Sequence, residues 1–113
     1  MDADSTLIPG TFEMLILKAL SLGPIHGWGV AERIERLSDG VCEIQQGAVY
    51  PALQRLLLRG WVTAAWRDTD NHRRARYYRL TASGRRRLQQ ELDWWERAIR
   101  GVDRVLRATS QES

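Results

Sequence analysis

Ten arginines lie between positions 55 and 87 of this 113-residue chain, and only Asp68 and Asp70 oppose them, which leaves a local charge of +8. Guanidinium groups pair bidentately with phosphate or carboxylate, and a cluster of them attracts a polyanion by neutralising phosphates and releasing counterions. An ordinary solvated surface is the alternative, because charge runs commonly form exposed faces. The net charge of +3 conceals the contrast: residues 1–50 carry three basic and seven acidic groups, whereas residues 51–113 carry fourteen and seven.

The densest basic segment coincides with a turn. The runs Trp61–Arg67 and Arg74–Leu80 are separated by six residues that are mostly turn formers, and this pattern predicts a β-hairpin. Arg73, Arg74 and Arg76 lie at its tip and on its second strand. A hairpin tip has little structural need for arginine, so we interpret these three residues as phosphate contacts.

An amphipathic helix is predicted directly before the hairpin, from about Gln46 to Arg59. Its apolar residues recur at intervals of 3, 1, 3 and 1, namely Val49, Ala52, Leu53, Leu56 and Leu57. The opposite face carries Gln46, Tyr50, Gln54, Arg55 and Arg59. Because proline is tolerated in a first turn, Pro51 implies that the helix begins nearer Tyr50 or that its first turn is irregular.

Two helices are predicted upstream of this one. The first spans about Phe12 to Leu22, with Thr11 as its capping residue. It is apolar nearly all round, which suggests burial on more than one side and therefore between subunits. The second spans about Gly27 to Leu37.

A long helix follows Thr81, a plausible N-cap, and runs to about Ala108. Its apolar stripe has spacings of 4, 3, 4, 3 and 4 through Leu88, Leu92, Trp95, Ile99, Val102 and Leu106. Such a stripe on a terminal helix predicts packing against a second subunit, together with Phe12 and Leu15 of the first helix. Trp94 falls beside the stripe, where it packs on the first helix, lines a pocket between subunits or stacks on a flat apolar ligand.

These elements predict an α+β fold that is mostly helical. Residues 11–81 are expected to form a winged helix-turn-helix of three helices and a β-hairpin wing, and residues 82–108 a C-terminal dimerisation helix. Flexible tails are expected over residues 1–10 and 109–113.

Composition and spacing argue against several other classes. With 43% hydrophobic and 27% charged residues the chain fits one globular domain, and its most apolar segment is too short to span a bilayer. Cys42 cannot form an internal disulfide, which favours a cytoplasmic location, and its thiol is either a small buried apolar group or a redox switch. His26, Cys42 and His72 match no common metal-ligand spacing, so we expect no metal, no cofactor and no enzymatic activity.

Several segments together resemble the PadR family of bacterial transcriptional regulators. The resemblance covers about Gly10 to Leu106, and its most specific part is the Tyr-Pro-Ala-Leu-x-Arg-Leu segment at 50–56. Further matching segments are Gly23-Pro24-Ile25-His26-Gly27-Trp28, Gly60-Trp61-Val62 and Arg76-Tyr77-Tyr78-Arg79-Leu80-Thr81 with Gly84. The short chain after the wing is similar to the subgroup with a single C-terminal helix.

The resemblance implies a homodimeric repressor that binds a palindromic operator and is released by a signal such as a small molecule. It implies helix contacts to DNA from Gln46, Gly47, Tyr50 and Arg55, with Tyr50 on a phosphate. Gly47 allows close backbone approach or is a simple N-cap. The resemblance also makes Trp94 and Trp95 candidates for a planar effector at the dimer interface. The alternative function is a winged-helix module whose basic face binds an acidic protein.

Overall fold

The computed structural model describes residues 10–112, so the tail expected over residues 1–10 lies almost entirely outside it. The elements are α1 (Phe12–Ser21), β1 (Ile25–His26), α2 (Gly27–Leu37), α3 (Gln46–Leu58), β2 (Val62–Asp68), β3 (Arg74–Leu80) and α4 (Ala82–Arg107). A short 3-10 turn at Ser110–Glu112 occupies most of the second expected tail. This order is that of a winged helix-turn-helix followed by one long helix, which confirms the predicted fold class.

Three strands form an antiparallel sheet in the order β1-β3-β2. The register of the hairpin pairs Val62 with Leu80 and Trp66 with Arg76. Alternate residues of β3 therefore point to opposite faces, and Arg74, Arg76 and Tyr78 share the face that is turned towards α3.

The core lies between the three short helices and the sheet. It consists of Met14, Ile16, Leu17, Ala19 and Leu20 of α1, Val30, Ala31 and Ile34 of α2, Ile44, Val49, Ala52, Leu53 and Leu56 of α3 and its approach, Val62, Tyr78 and Leu80 of the hairpin, and Leu88 of α4. The 3, 1, 3 spacing predicted for α3 is thus its buried stripe, although Leu57 is only partly buried. Met14 and Leu17 are covered within the same chain, so the apolar surround of α1 does not by itself require a partner subunit.

Three local features differ from the expectations. Thr11 precedes α1 as expected, but its side chain makes no capping hydrogen bond to the helix. Helix α3 begins at Gln46 as predicted, so the alternative start near Tyr50 is wrong, and Pro51 lies in the second turn, where it supplies no amide for the Gly47 carbonyl. The two-residue strand β1 was not predicted.

The start of α4 is locked to the loop that precedes the hairpin. The Thr81 amide donates to the Trp61 carbonyl at 3.0 Å, and the Thr81 hydroxyl donates to the Gly60 carbonyl at 2.8 Å. The same hydroxyl accepts from the Gly84 amide at 2.9 Å, which confirms Thr81 as the N-cap. A Cβ at Gly84 would overlap the Trp61 carbonyl oxygen, so only glycine fits this close approach.

Candidate nucleic-acid interface

The first half of α3 and the strand β3 face each other across an open groove of about 330 Å³. Four of the seven predicted DNA-contacting residues line it, namely Gln46, Tyr50, Arg74 and Arg76. Trp28, Trp66 and Tyr78 supply its aromatic walls. The fold therefore places the predicted polar face of α3 and the predicted basic strand β3 on one surface.

The groove is positively charged. No carboxylate lines it within the part of the chain that the structure describes. The guanidinium carbon of Arg74 lies 5.9 Å from the ring centroid of Trp66, and that of Arg76 lies 5.8 Å from the ring centroid of Tyr78. A guanidinium within about 6 Å of a ring centroid is attracted to the ring face and can still present N–H donors to an anion.

The N-terminus of α3 is open at the rim of this groove. Gln46 Nε2 donates to the Trp28 carbonyl at 3.1 Å, which ties the first residue of α3 to α2. Gly47 is the second helical residue, after the N-cap Gln45, so the N-cap explanation for this glycine is wrong. A Cβ at Gly47 would meet no heavy atom within 4 Å. Packing inside the chain therefore does not require glycine here, and close approach of a ligand to the backbone stays a prediction.

Sequence reasoning gave no functional role to Tyr78, Trp28 or Trp66, which all line the groove. The Tyr78 side chain is 1% exposed, and its buried hydroxyl makes no well-formed hydrogen bond. Burial raises the pKa of Tyr78, nearby Tyr50 raises it further and Arg76 lowers it, although neither neighbour makes a well-formed hydrogen bond to the hydroxyl. The sequence feature that could have indicated this placement is the i, i+2 spacing of Arg76 and Tyr78, which puts both side chains on one face of β3.

Arg55 lies outside the groove, towards the other end of α3. Its Nε is 2.9 Å from a carboxylate oxygen of Glu13 on α1, and Arg59 Nη1 is 2.7 Å from the other oxygen. The Arg55 side chain is 48% exposed, so its contact with DNA stays a prediction and would compete with this ion pair.

The hairpin tip carries Arg73, which is exposed and lies away from the groove walls. The turn is closed by a hydrogen bond of 2.7 Å from the Thr69 amide to the Arg73 carbonyl. His72 adopts a positive φ of 59° in this turn. On the opposite face of the sheet, the Arg67 guanidinium lies 4.7 Å from the Tyr77 ring centroid.

One wall of the groove depends on the start of α2. His26 Nδ1 accepts from the Gly29 amide at 3.1 Å and so caps this helix. The His26 and Trp28 rings stack with centroids 3.6 Å apart. Desolvation by burial is the main cause that lowers the pKa of His26, and Arg33 also lowers it, whereas Glu32 and a backbone hydrogen bond raise it.

The predicted dimer stripe of α4 divides into two parts. Leu88 is buried, and Leu92 and Trp95 pack against the core of their own chain, as do Phe12 and Leu15. Beyond them the stripe is uncovered: Ile99 is 42%, Val102 55% and Leu106 77% exposed. Val105, which falls outside the predicted stripe, is 74% exposed.

Trp94 and Trp95 have different surroundings. Trp95 is partly buried against the core, whereas Trp94 is 46% exposed, with the two ring centroids 6.4 Å apart. Trp94 borders a shallow hollow with Arg87 and Glu91, whose ion pair measures 2.9 Å. The binding of an effector at this place stays a prediction.

Residues 10–112 contain neither a membrane-spanning helix nor a metal-binding cluster. No helix in that range is both long enough and apolar enough to cross a bilayer. Nor does the range contain a group of three or more histidine, cysteine or acidic side chains placed to hold a metal ion. Cys42 is a free thiol, partly buried.

Comparison with known proteins identifies both a family and a fold. Residues 16–90 match the model of the transcriptional regulator PadR-like family. A transcriptional regulator from Clostridium thermocellum is 25% identical, with a TM-score of 0.79 over 88% of this chain and 97% of that one. A PadR family regulator from Eggerthella lenta is 28% identical, with a TM-score of 0.75 over 88% and 85% of the two chains. Bacillus subtilis PadR in complex with operator DNA is 22% identical and similar in fold, with a TM-score of 0.66 over 74% and 47%.

Proposed function

Because the chain belongs to the PadR-like family of transcriptional regulators, we propose that it is a homodimeric repressor that binds operator DNA sequence-specifically. The observation that carries the proposal is the basic groove, in which Gln46 and Tyr50 of α3 meet Arg74 and Arg76 of β3 and which no carboxylate of residues 10–112 lines. We infer a cytoplasmic location, which the single free thiol of Cys42 supports.

The mode of binding follows from the placement of these side chains. Helix α3 enters the major groove with its first turns, where Gln46 and Gly47 approach base edges. Tyr50 and Arg74 contact phosphates that flank this groove, and Arg73 at the hairpin tip reaches further along the duplex. The fold shared with Bacillus subtilis PadR, a protein solved in complex with operator DNA, supports this arrangement.

A second copy of the chain is the proposed partner of α4. Ile99, Val102 and Leu106 present an exposed apolar stripe that a soluble chain would otherwise leave in water. Pairing of two such helices would hold two copies of α3 about 34 Å apart, one turn of DNA, and a palindromic operator follows from the twofold symmetry.

Wing reversal tests the DNA contacts. The double variant Arg73→Glu with Arg74→Glu should weaken binding to every duplex and lower the slope of log affinity against log salt by about 2, since each phosphate contact contributes about 0.9. The matched control, Arg97→Glu with Arg100→Glu on exposed positions of α4, makes the same charge change away from the groove. Equal losses in the two double variants would refute the wing assignment.

Gln46→Ala tests base readout separately. We expect it to relax the preference for particular operator positions while the salt slope stays unchanged. The first duplex to use is the DNA upstream of the chain's own gene, with a random duplex beside it. If neither binds in a salt-sensitive manner, the acidic protein partner replaces DNA as the proposed ligand.

The dimer has its own test. Val102→Glu should convert the dimer to a monomer in sedimentation analysis and reduce operator affinity, whereas Arg104→Glu, two residues away, should do neither. A Val102→Glu protein that stays dimeric would show that the stripe does not form the interface.

We further propose that a small molecule releases the protein from DNA. The aromatic pair Trp94 and Trp95 on α4 is its proposed binding site. Tryptophan fluorescence that is unchanged by every compound that dissociates the DNA would refute binding at this pair.

A further inference from the structure

We propose that Glu13 of α1 competes with a DNA phosphate for Arg55 and thereby limits the affinity of the protein for every duplex. The inference rests on the proposed function, because it concerns the strength of DNA binding. It adds to that function a carboxylate that lies outside the groove between α3 and β3 and that weakens binding.

Arg55 lies on the flank of α3 that faces away from β3. It follows Gln46 by nine residues, and at about 100° per residue the two side chains point about 180° apart around the helix. Gln46 lines the groove with β3, whereas Arg55 faces α1. The face between these flanks is exposed and carries Gly47, Pro51 and Leu58.

This placement gives Arg55 its own part of the duplex. A helix in the major groove has a sugar-phosphate backbone on either side. If the Tyr50 flank contacts the backbone on the side of the wing, the Arg55 flank lies towards the backbone on the other side. A phosphate there is the partner that Arg55 would reach.

The Glu13 carboxylate already occupies this arginine. Arg55 Nε lies 2.9 Å from Oε2 of Glu13, and Arg59 Nη1 lies 2.7 Å from Oε1. The Nε–H group belongs to the fork of donors with which a guanidinium binds phosphate bidentately, so a full phosphate contact requires release of Arg55 from Glu13. The carboxylate also repels a phosphate that comes near it.

Release of Arg55 does not leave Glu13 without a partner. Arg59 keeps its contact with the carboxylate, and its guanidinium carbon also lies 5.2 Å from the ring centroid of Trp61. The Glu13 side chain is 27% exposed and that of Arg55 48%, so water reaches both groups. Exposed ion pairs add little to stability, and a phosphate can therefore displace Glu13 from Arg55.

The competition has a defined signature. Phosphate contacts carry no direct sequence information, so Glu13 should lower the affinity for operator and random duplexes by the same factor. Its removal should also make binding more sensitive to salt, since Arg55 would then neutralise one more phosphate.

Glu13→Gln tests this signature, because it removes the charge and keeps the size of the side chain. We expect about fivefold tighter binding to operator and random duplexes alike, and a slope of log affinity against log salt that is steeper by about 0.9. Asp103→Asn is the matched control, since Asp103 pairs with an exposed arginine, Arg107, at 2.8 Å near the end of α4. Unchanged affinity in Glu13→Gln, or an equal gain in Asp103→Asn, would overturn the proposal.

A double-variant cycle shows whether the gain depends on Arg55. Arg55→Gln should weaken binding to every duplex, and Glu13→Gln added to it should restore less than twofold. A full fivefold gain in the absence of Arg55 would show a general effect of charge and overturn the competition. A purely structural role of the ion pair predicts the opposite sign, because Glu13→Gln would then bind DNA more weakly than the wild type.

Heparin separates this inference from the proposed function, since it is a sulfated polyanion without bases. Glu13→Gln should elute from immobilised heparin at higher salt than the wild type, and the shift should vanish when Arg55→Gln is added. This shift in a protein that binds no duplex would refute the proposed function and support the competition. Operator binding by the wild type, with neither DNA affinity nor heparin elution altered in Glu13→Gln, would do the reverse.

Discussion

The prediction that DNA approaches the helix backbone at Gly47 can be tested separately from folding. Gly47 is the second residue of α3, and a Cβ there would meet no atom within 4 Å, so alanine fits the free protein without any rearrangement. Replacing a helical glycine by alanine at an open site contributes about 0.5–1 kcal/mol, largely by restricting the unfolded chain. Gly47→Ala should therefore raise the free energy of unfolding by about that amount.

The same Gly47→Ala variant should bind operator DNA more weakly. If the backbone at Gly47 approaches the duplex closely, an added methyl group displaces the helix and costs about tenfold in operator Kd, or roughly 1.4 kcal/mol. Gly101→Ala is the matched control, since Gly101 is also helical and open but lies on α4, beside the exposed stripe. It should add similar stability and leave the operator Kd unchanged.

The assays are thermal or denaturant unfolding at a fixed protein concentration and titration of labelled operator DNA at one salt concentration. A stabilised Gly47→Ala protein with full operator affinity would refute the close approach. A destabilised protein would refute the claim that the site is open. Only opposite changes in stability and affinity agree with a glycine retained for its ligand.

The remaining predictions concern stability. Gly84→Ala should lower the free energy of unfolding by about 1–3 kcal/mol, because the added Cβ overlaps the Trp61 carbonyl. Denaturant unfolding measures this change, and an unchanged free energy would contradict the close approach. Because folding lowers the pKa of His26, the unfolded state binds a proton at this residue more readily than the folded state. The contribution of neutral His26 to the free energy of unfolding is therefore complete above the ordinary pKa of 6.5 and is lost as the pH falls below it. His26→Asn, which keeps a capping oxygen, should flatten the stability profile between about pH 5 and 7. An identical profile in that variant would exclude His26 as the titrating group.

Local pattern predicted most of the fold. The bounds of α2 and β3 agree with the sequence reasoning to the residue. Glycine and aspartate mark the ends of α2, and the turn-forming residues 68–73 and the N-cap Thr81 flank β3. The strand β1 could not be found in this way. It is two residues long and exists only through pairing of Ile25 with Tyr78 and His26 with Tyr77, which are more than 50 positions away.

The candidate site was predictable in its parts and not in its assembly. The polar face of α3 and the basic strand were each visible, but only the register of the hairpin puts Trp66 opposite Arg76. Arg55 illustrates the limit, since the carboxylate of Glu13 that engages it lies 42 positions earlier in the chain. Long-range ion pairs of this kind leave no periodic trace in a sequence.

The junction at Thr81 has a consequence for the operator. Helix α4 starts directly after β3 and is hydrogen-bonded to the Trp61 carbonyl, so no hinge separates the DNA-reading unit from the stripe that would join two copies. A dimer joined through such a helix would hold its two copies of α3 at a fixed distance. One extra base pair between half-sites would turn the second half-site by about 35° and move it about 3.4 Å. Without a hinge between β3 and α4, the second copy of α3 could not move by the same amount. Operators of this regulator should therefore tolerate changes in sequence between their half-sites far better than changes in length.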